Sequence, residues 1–250
     1  MESNKMTGER VAIVTGSGKG IGRGIAERLA REGYIVVVNY RSDADAAQDA
    51  LNAIQTISPQ SIAVQADVAT PEGAQSLISQ AQEKFGRLDV LVNNAGPFLV
   101  KSLYDTSVEE WQEILNGNLS SAFYCTKFAL PIMREQMRGH IINLGSLNSE
   151  NARGAPTTTA YNVAKTGLVV LSKSVARNEA RFGIRCNHVN PGFIETYATT
   201  DSDRRELPSI IPLGALGKVD DISNLVAYLL SDEASYITGA VINVHGGLWV

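Results

Sequence analysis

Short apolar, β-branched runs recur along the chain: VAIVT (11–15), IVVVN (35–39), SIAVQA (61–66), DVLVN (89–93), HIINLGS (140–146), IRCNHVN (184–190) and AVINV (240–244). Most are separated by segments with helical apolar spacing, as in IAERLAREG, where Ile25, Leu29 and Ala30 share one face. Strand-length runs without polar alternation suit strands buried on both faces. Their alternation with helices predicts an α/β, doubly wound parallel sheet of about seven strands with helices on both faces. About six helices are expected. No repeat and no break rich in Pro, Gly or Ser interrupts the pattern, so residues 8–250 read as a single domain behind a short tail, 1–7. The least regular stretch, 192–218, falls between a strand and a helix; it is expected to be either a cover over a site or a plain surface loop.

Composition narrows the picture only a little. A formal net charge of -4 over 250 residues lacks the basic footprint of a nucleic-acid binder. No window approaches the ~20 apolar residues of a membrane span, and the opening MESNKMTGER has no signal-like apolar core. Cys125 and Cys186 lie in apolar-patterned segments and read as small buried thiols in a reducing cytoplasm. His140, His188 and His245 stand singly, without metal-ligand spacing, so no metal is expected.

The sharpest local signal is TGSGKGIG (15–22), which follows the first strand and opens the first helix. A helix N-terminus offers unpaired N–H groups and partial positive charge, and glycine lets a phosphate approach the backbone. The Walker pattern fails for want of Gly-Lys-Ser/Thr, and strict G-x-G-x-x-G fails because Ile21 stands where the third Gly would fall. Gly16, Gly20 and Gly22 instead spell T-G-x-x-x-G-x-G.

With NNAG (93–96), YNVAK (161–165) and NPGFIET (190–196) in the same order, the chain resembles the short-chain dehydrogenase/reductases over almost all of its length after the tail. The resemblance implies a Rossmann-like fold with NAD(P)H and substrate meeting at the carboxyl ends of the strands. It implies cofactor contacts from Gly16, Ser17, Lys19, Gly20, Ile21 and Gly22, from Asp67 and Val68 at the adenine, and from Asn94, Ala95 and Gly96 near the adenosine ribose. Pro191, Gly192, Ile194 and Thr196 would line the nicotinamide.

At the end of the second strand an acidic residue would select NAD, and an Arg would pair with the 2′-phosphate of NADP. The strand runs out as VVVNYRS, so Tyr40, Arg41 and Ser42, with Lys19 nearby, point to NADP(H). Asp43 and Asp45 read as the start of the next helix.

Reducing a ketone requires a hydride and a proton, the second from the protein. Tyr161 and Lys165, at i and i+4, share one helix face, and a nearby cation lowers a phenol's pKa. The resemblance makes Tyr161 the proton donor and gives Lys165 the nicotinamide ribose hydroxyls as well. It makes Asn118, rather than Asn116, the helix-bending residue that holds a water. Ser146, at the end of the fifth strand, would steady the substrate oxygen. It precedes Tyr161 by fifteen residues, so the intervening loop is longer than the family pattern, and Ser149 remains the competitor.

Within the family the chain looks most like the 3-oxoacyl-[acyl-carrier-protein] reductases, in NLSSAF, NPGFIET and LLSDEASYITG. That resemblance implies a homotetramer and a possible acyl carrier protein partner, for which Arg138 and Arg181 are docking candidates. Pro97 and the lengthened loop depart from the pattern. They keep open another small carbonyl or alcohol substrate (a sugar, steroid, diketone, pterin or xenobiotic), and more remotely a non-catalytic NADP-sensing role. Enoyl reductases of this fold space their Tyr and Lys more widely, so the i,i+4 pair implies C=O rather than C=C chemistry.

Overall fold

The computed structural model describes residues 9–248. The strands are β1 (Arg10–Val14), β2 (Tyr34–Tyr40), β3 (Ile62–Gln65), β4 (Val90–Asn93), β5 (Gly139–Leu144), β6 (Ile184–Pro191) and β7 (Val241–Val244). They form one parallel sheet in the order β3-β2-β1-β4-β5-β6-β7. Each apolar run carries a strand, with ends shifted by a residue or two; Thr15, Gly145 and Ser146 lie just past theirs.

Among the described residues there are eight α-helices rather than about six: α1 (Gly20–Arg31), α2 (Ala44–Gln55), α3 (Pro71–Phe85), α4 (Val108–Leu115), α5 (Ser121–Glu135), α6 (Thr159–Glu179), α7 (Asp201–Glu206) and α8 (Val219–Leu230). The two extra ones have physical reasons. A single π turn, Asn116–Ser120, separates α4 from α5, so the apolar rhythm changes phase without a break. Helix α7 is DSDRRE, with no apolar position to set a period; a capping box between Thr200 and Asp203 starts it.

Alternation along β1 divides the core. Val11 and Ile13 pack with Leu77, Ala129, Met133 and Val175 of α3, α5 and α6 on one face. Ala12 and Val14 pack with Ile25, Leu29, Ile54 and Val226 of α1, α2 and α8 on the other. With both faces covered, the strands need no polar side. Strand order reverses at β1, between β2 and β4, and a crevice opens beyond the carboxyl ends there, the usual place for a ligand in such sheets.

Candidate active site

Two adjoining clefts occupy that crevice, of about 660 and 730 Å³, with Ile21, Asn94, Gly96 and Phe98 in the wall of both. The first is built on the glycine loop. Gly16 and Gly20 adopt left-handed φ of 61° and 60°, which L side chains avoid. At Gly22 a Cβ would sit 2.4 Å from Asn94 Nδ2 and 2.6 Å from the Gly16 carbonyl. The wide first gap of the motif is therefore one turn with left-handed residues at both ends, tucked under the Asn94 carboxamide. Asn94 Nδ2 donates to the carbonyls of Thr15 (2.9 Å) and Gly16 (3.2 Å), while Thr15 Oγ1 accepts from the N–H groups of Asn94 and Ala95. Helix α1 starts here with no side-chain cap, leaving its first N–H groups for a ligand. The loop thus fits a dinucleotide pyrophosphate.

Toward the other end of this cleft lie Tyr40, Arg41, Ser42, Asp67 and Val68. No carboxylate stands at the tip of β2. Asp43 caps α2, accepting from Ala46 N at 3.1 Å, as its place at a helix start suggests. Its second oxygen pairs with Lys19 at 3.0 Å, a contact that raises the lysine pKa and lowers that of the aspartate. Lys19 is thus already matched by a carboxylate and is a weaker phosphate donor than its position implies. The Lys19 ammonium also lies 4.9 Å from the ring centre of Tyr197, which covers Gly20 from the 192–218 stretch. Backbone bonds from Glu195 N to Gly217 O (2.7 Å) and from Gly217 N to Phe193 O (2.9 Å) close that stretch into a strap.

The second cleft holds Ser146, Tyr161, Lys165, Pro191 and Gly192. Helix α6 stacks Tyr161 and Lys165 one turn apart, and Ser146, just past β5, faces the same cleft as the Tyr161 phenol. Burial pushes the phenol up to about 12, and the nearby Ser146 hydroxyl opposes this. That differs from the expectation of a phenol acidified by its lysine. Lys165, 4% exposed, donates from Nζ to the Leu144 carbonyl at 2.7 Å, and burial draws its pKa down to about 8. Phe98 stands edge-on to the Tyr161 ring, with centroids 4.9 Å apart, and supplies an apolar wall.

Asn118 lies within the π turn. Its Nδ2 donates to the carbonyls of Pro97 (2.8 Å) and Ile114 (3.0 Å). Its Oδ1 is buried with no protein partner, a seat that suits a water. Asn116 is used locally, accepting from Ser120 Oγ. The competing serine lines the same cleft, but its hydroxyl is engaged: Ser149 Oγ donates to Asn190 Oδ1 at 2.6 Å in a buried network.

Some expected contacts lie elsewhere. Ser17 is 0% exposed and turned inward; its hydroxyl donates to the Val14 carbonyl and accepts from Asn39 N, so it braces the loop and lines neither cleft. Ile194 packs on the core beside β6 and also misses both cleft walls, whereas Thr196 lines the first. Arg138 directly precedes β5 and Arg181 lies three residues before β6, at the amino ends of the strands and opposite the clefts; Arg138 lies 3.9 Å from Asp232. Sequence reasoning missed Asn39, which accepts from Gly16 N (3.2 Å) and donates to the Ala66 carbonyl (3.1 Å), tying loop to sheet. A polar residue closing a buried apolar run was its only signal.

Cys125 and Cys186 are free and buried, with thiols pushed up to about 12. Among the described residues no group of three or more His, Cys, Asp or Glu is arranged for a metal, and no helix is long and apolar enough to cross a membrane.

A seven-stranded doubly wound sheet with this glycine turn and a Ser–Tyr–Lys cluster defines a nucleotide-dependent oxidoreductase site. A family model described as enoyl-(acyl carrier protein) reductase matches residues 16–249. The chain is 41% identical over 249 residues to a 3-oxoacyl-[acyl-carrier-protein] reductase of Staphylococcus aureus, covering 98% of this chain and 100% of that one. It is 39% identical over 245 residues to glucose 1-dehydrogenase 2 of Bacillus subtilis, covering 96% and 94%. The crystal structure of acetoin dehydrogenase from Salmonella typhimurium matches with a TM-score of 0.88 at 35% identity, over 96% of both chains. The chain belongs to the short-chain dehydrogenase/reductase family, oxidoreductases that act between CH–OH and C=O groups with nicotinamide cofactors.

Proposed function

We propose that this protein reduces a ketone to a secondary alcohol, or runs the reverse, with NADP(H), and that its first candidate substrate is a 3-oxoacyl thioester. The observation that carries the reading is the convergence of Ser146, Tyr161 and buried Lys165 on the wall of the second cleft, the last two one helical turn apart on α6. NADPH, when bound, supplies the hydride. Gly16, Gly20 and Gly22 with the start of α1 would hold its pyrophosphate, and Arg41 with Ser42 its 2′-phosphate; the absence of a carboxylate at the tip of β2 supports the phosphate form.

A phenol held near 12 is fully protonated at neutral pH, which suits the donor in a reduction. Ser146 would hold the substrate oxygen so that the proton passes from Tyr161 Oη. Lys165 keeps a positive charge beneath the phenol as negative charge grows on it. Asn118 Oδ1, buried and otherwise unpartnered, would hold a water.

A second reading, a dehydrogenase of a small alcohol or carbonyl, draws support from Arg138 and Arg181 lying away from the mouth and from the apolar wall of Phe98, Leu147, Pro156 and Phe193. Exposed Phe123, Val163 and Val170 on α5 and α6 support a homo-oligomer. The test is NADPH oxidation by pure protein against acetoacetyl thioesters, diketones, sugars, quinones and pterins. Thioester turnover supports the first reading; activity confined to small ketones gives the second; NADPH binding with silence throughout removes the enzymatic one.

A further inference from the structure

Asn190 is fully buried at the carboxyl end of β6, one residue before Pro191 and Gly192 of the cleft wall. Both ends of its carboxamide are engaged. Oδ1 accepts from Ser149 Oγ at 2.6 Å and lies 3.0 Å from His188 Nε2. Nδ2 donates to Glu150 Oε2 at 2.7 Å and to Asn243 Oδ1 at 2.9 Å. The other Glu150 oxygen accepts from Asn243 Nδ2 at 2.5 Å. On its far side His188 Nδ1 lies 3.0 Å from Ser172 Oγ, on α6 two turns beyond Lys165, and Ser172 accepts from Asn143 of β5. One hydrogen-bonded chain therefore links β5, the catalytic helix, β6, β7 and the loop that carries Ser146.

That loop is strained. Asn148 and Ala152 take left-handed φ of 66° and 49°, on either side of the turn Ser149–Asn151. Ala152 has no side-chain hydrogen bond to offset the steric cost, so the conformation needs its surroundings to impose it. The turn starts at Ser146 itself, whose carbonyl accepts from Ser149 N at 3.1 Å. Glu150 lines neither cleft.

We propose that Glu150 is a positioning residue: its carboxylate clamps the strained turn onto β6 and β7 and thereby fixes Ser146 beside Tyr161. The proposal rests on reading Ser146 and Tyr161 as the reacting pair, and it places the clamp within the lengthened loop between them. Misplacing a reacting group by about 1 Å costs about a hundredfold in rate.

Three variants of the full chain test it: Glu150→Ala, Glu150→Gln and Asn243→Ala, the last at an exposed side chain. Glu150→Ala should lower kcat at least about tenfold while NADPH affinity, by fluorescence titration, stays within about twofold. Glu150→Gln should be intermediate, because its carbonyl still accepts from Asn190. Should Glu150→Ala fail to fold, Asn243→Ala, which removes one arm of the clamp, should show the same split in milder form. Amide exchange across 146–152 should accelerate in Glu150→Ala. Wild-type kcat, wild-type exchange in this loop, or parallel losses of kcat, cofactor affinity and Tm would each overturn the proposal. If the wild-type chain reduces no ketone, the functional reading falls, while the exchange measurement still decides the clamp.

Discussion

The Lys165 ammonium is hydrogen-bonded to the Leu144 carbonyl at 2.7 Å, so the charge on α6 is anchored to the last residue of β5. Burial lowers its pKa from 10.5 to about 8. Between those values the unfolded chain binds more protons than the folded one, and stability rises with pH. The contribution is fully present above the unfolded value and is lost as pH falls through about 8. Its size is on the order of 3 kcal/mol. Urea unfolding from pH 7 to 10.5 should show this rise in the wild type and not in Lys165→Met; parallel curves would refute it.

Tyr161→Phe keeps the ring that packs against Phe98 and removes only the hydroxyl. Turnover should fall by about a thousandfold or more, in line with loss of a general acid, while NADPH binding changes little. Retention of most of the activity would remove the proton-donor assignment.

The two serines separate cleanly. Ser146→Ala should lower kcat about a hundredfold through loss of a donor to the reacting oxygen. Ser149→Ala instead leaves Asn190 short of a buried partner and should lower stability by about 1–3 kcal/mol, with a smaller effect on rate. Thermal unfolding and steady-state kinetics on both variants decide between them.

The proposed NADP(H) preference assigns the 2′-phosphate to Arg41. Arg41→Ala should weaken NADPH by about tenfold or more, the scale of a charge-assisted phosphate contact, and leave NADH nearly unchanged. Equal losses for the two would rule out the phosphate role.

At Gly22 the added methyl of Gly22→Ala meets Asn94 Nδ2 and the Gly16 carbonyl well inside contact distance. Since the backbone cannot yield cheaply there, overpacking should cost about 1–3 kcal/mol and disturb the pyrophosphate seat. Calorimetry and NADPH titration should show both losses together.

Strand positions and the Tyr161–Lys165 pair were legible because they rest on periodicity, and a helix forces i and i+4 together. Direction was harder. Ser17 belongs to the motif by position, yet its side chain points inward toward Val14 and Asn39. Charge type alone marks Arg138 and Arg181 as candidates near a mouth, whereas Arg138 directly precedes β5 and Arg181 lies three residues before β6, at the far end of the sheet. The i,i+4 spacing suggests an acidifying cation but does not reveal that Lys165 Nζ is claimed by the Leu144 carbonyl. Glu150 carried no motif, since its partners lie 40 and 93 positions away.

Asn116, Gly117 and Asn118 sit where helix pitch changes, and alanine is a better helix former than any of them. Redesign guided by propensity would therefore smooth this span. At Gly117 the new methyl would strike the ring of Pro97, and at Asn118 the carboxamide that grips Pro97 and Ile114 would vanish. Thermostability engineering and catalytic aim pull in opposite directions along these three residues, and an irregularity that looks like a defect is the part to leave alone.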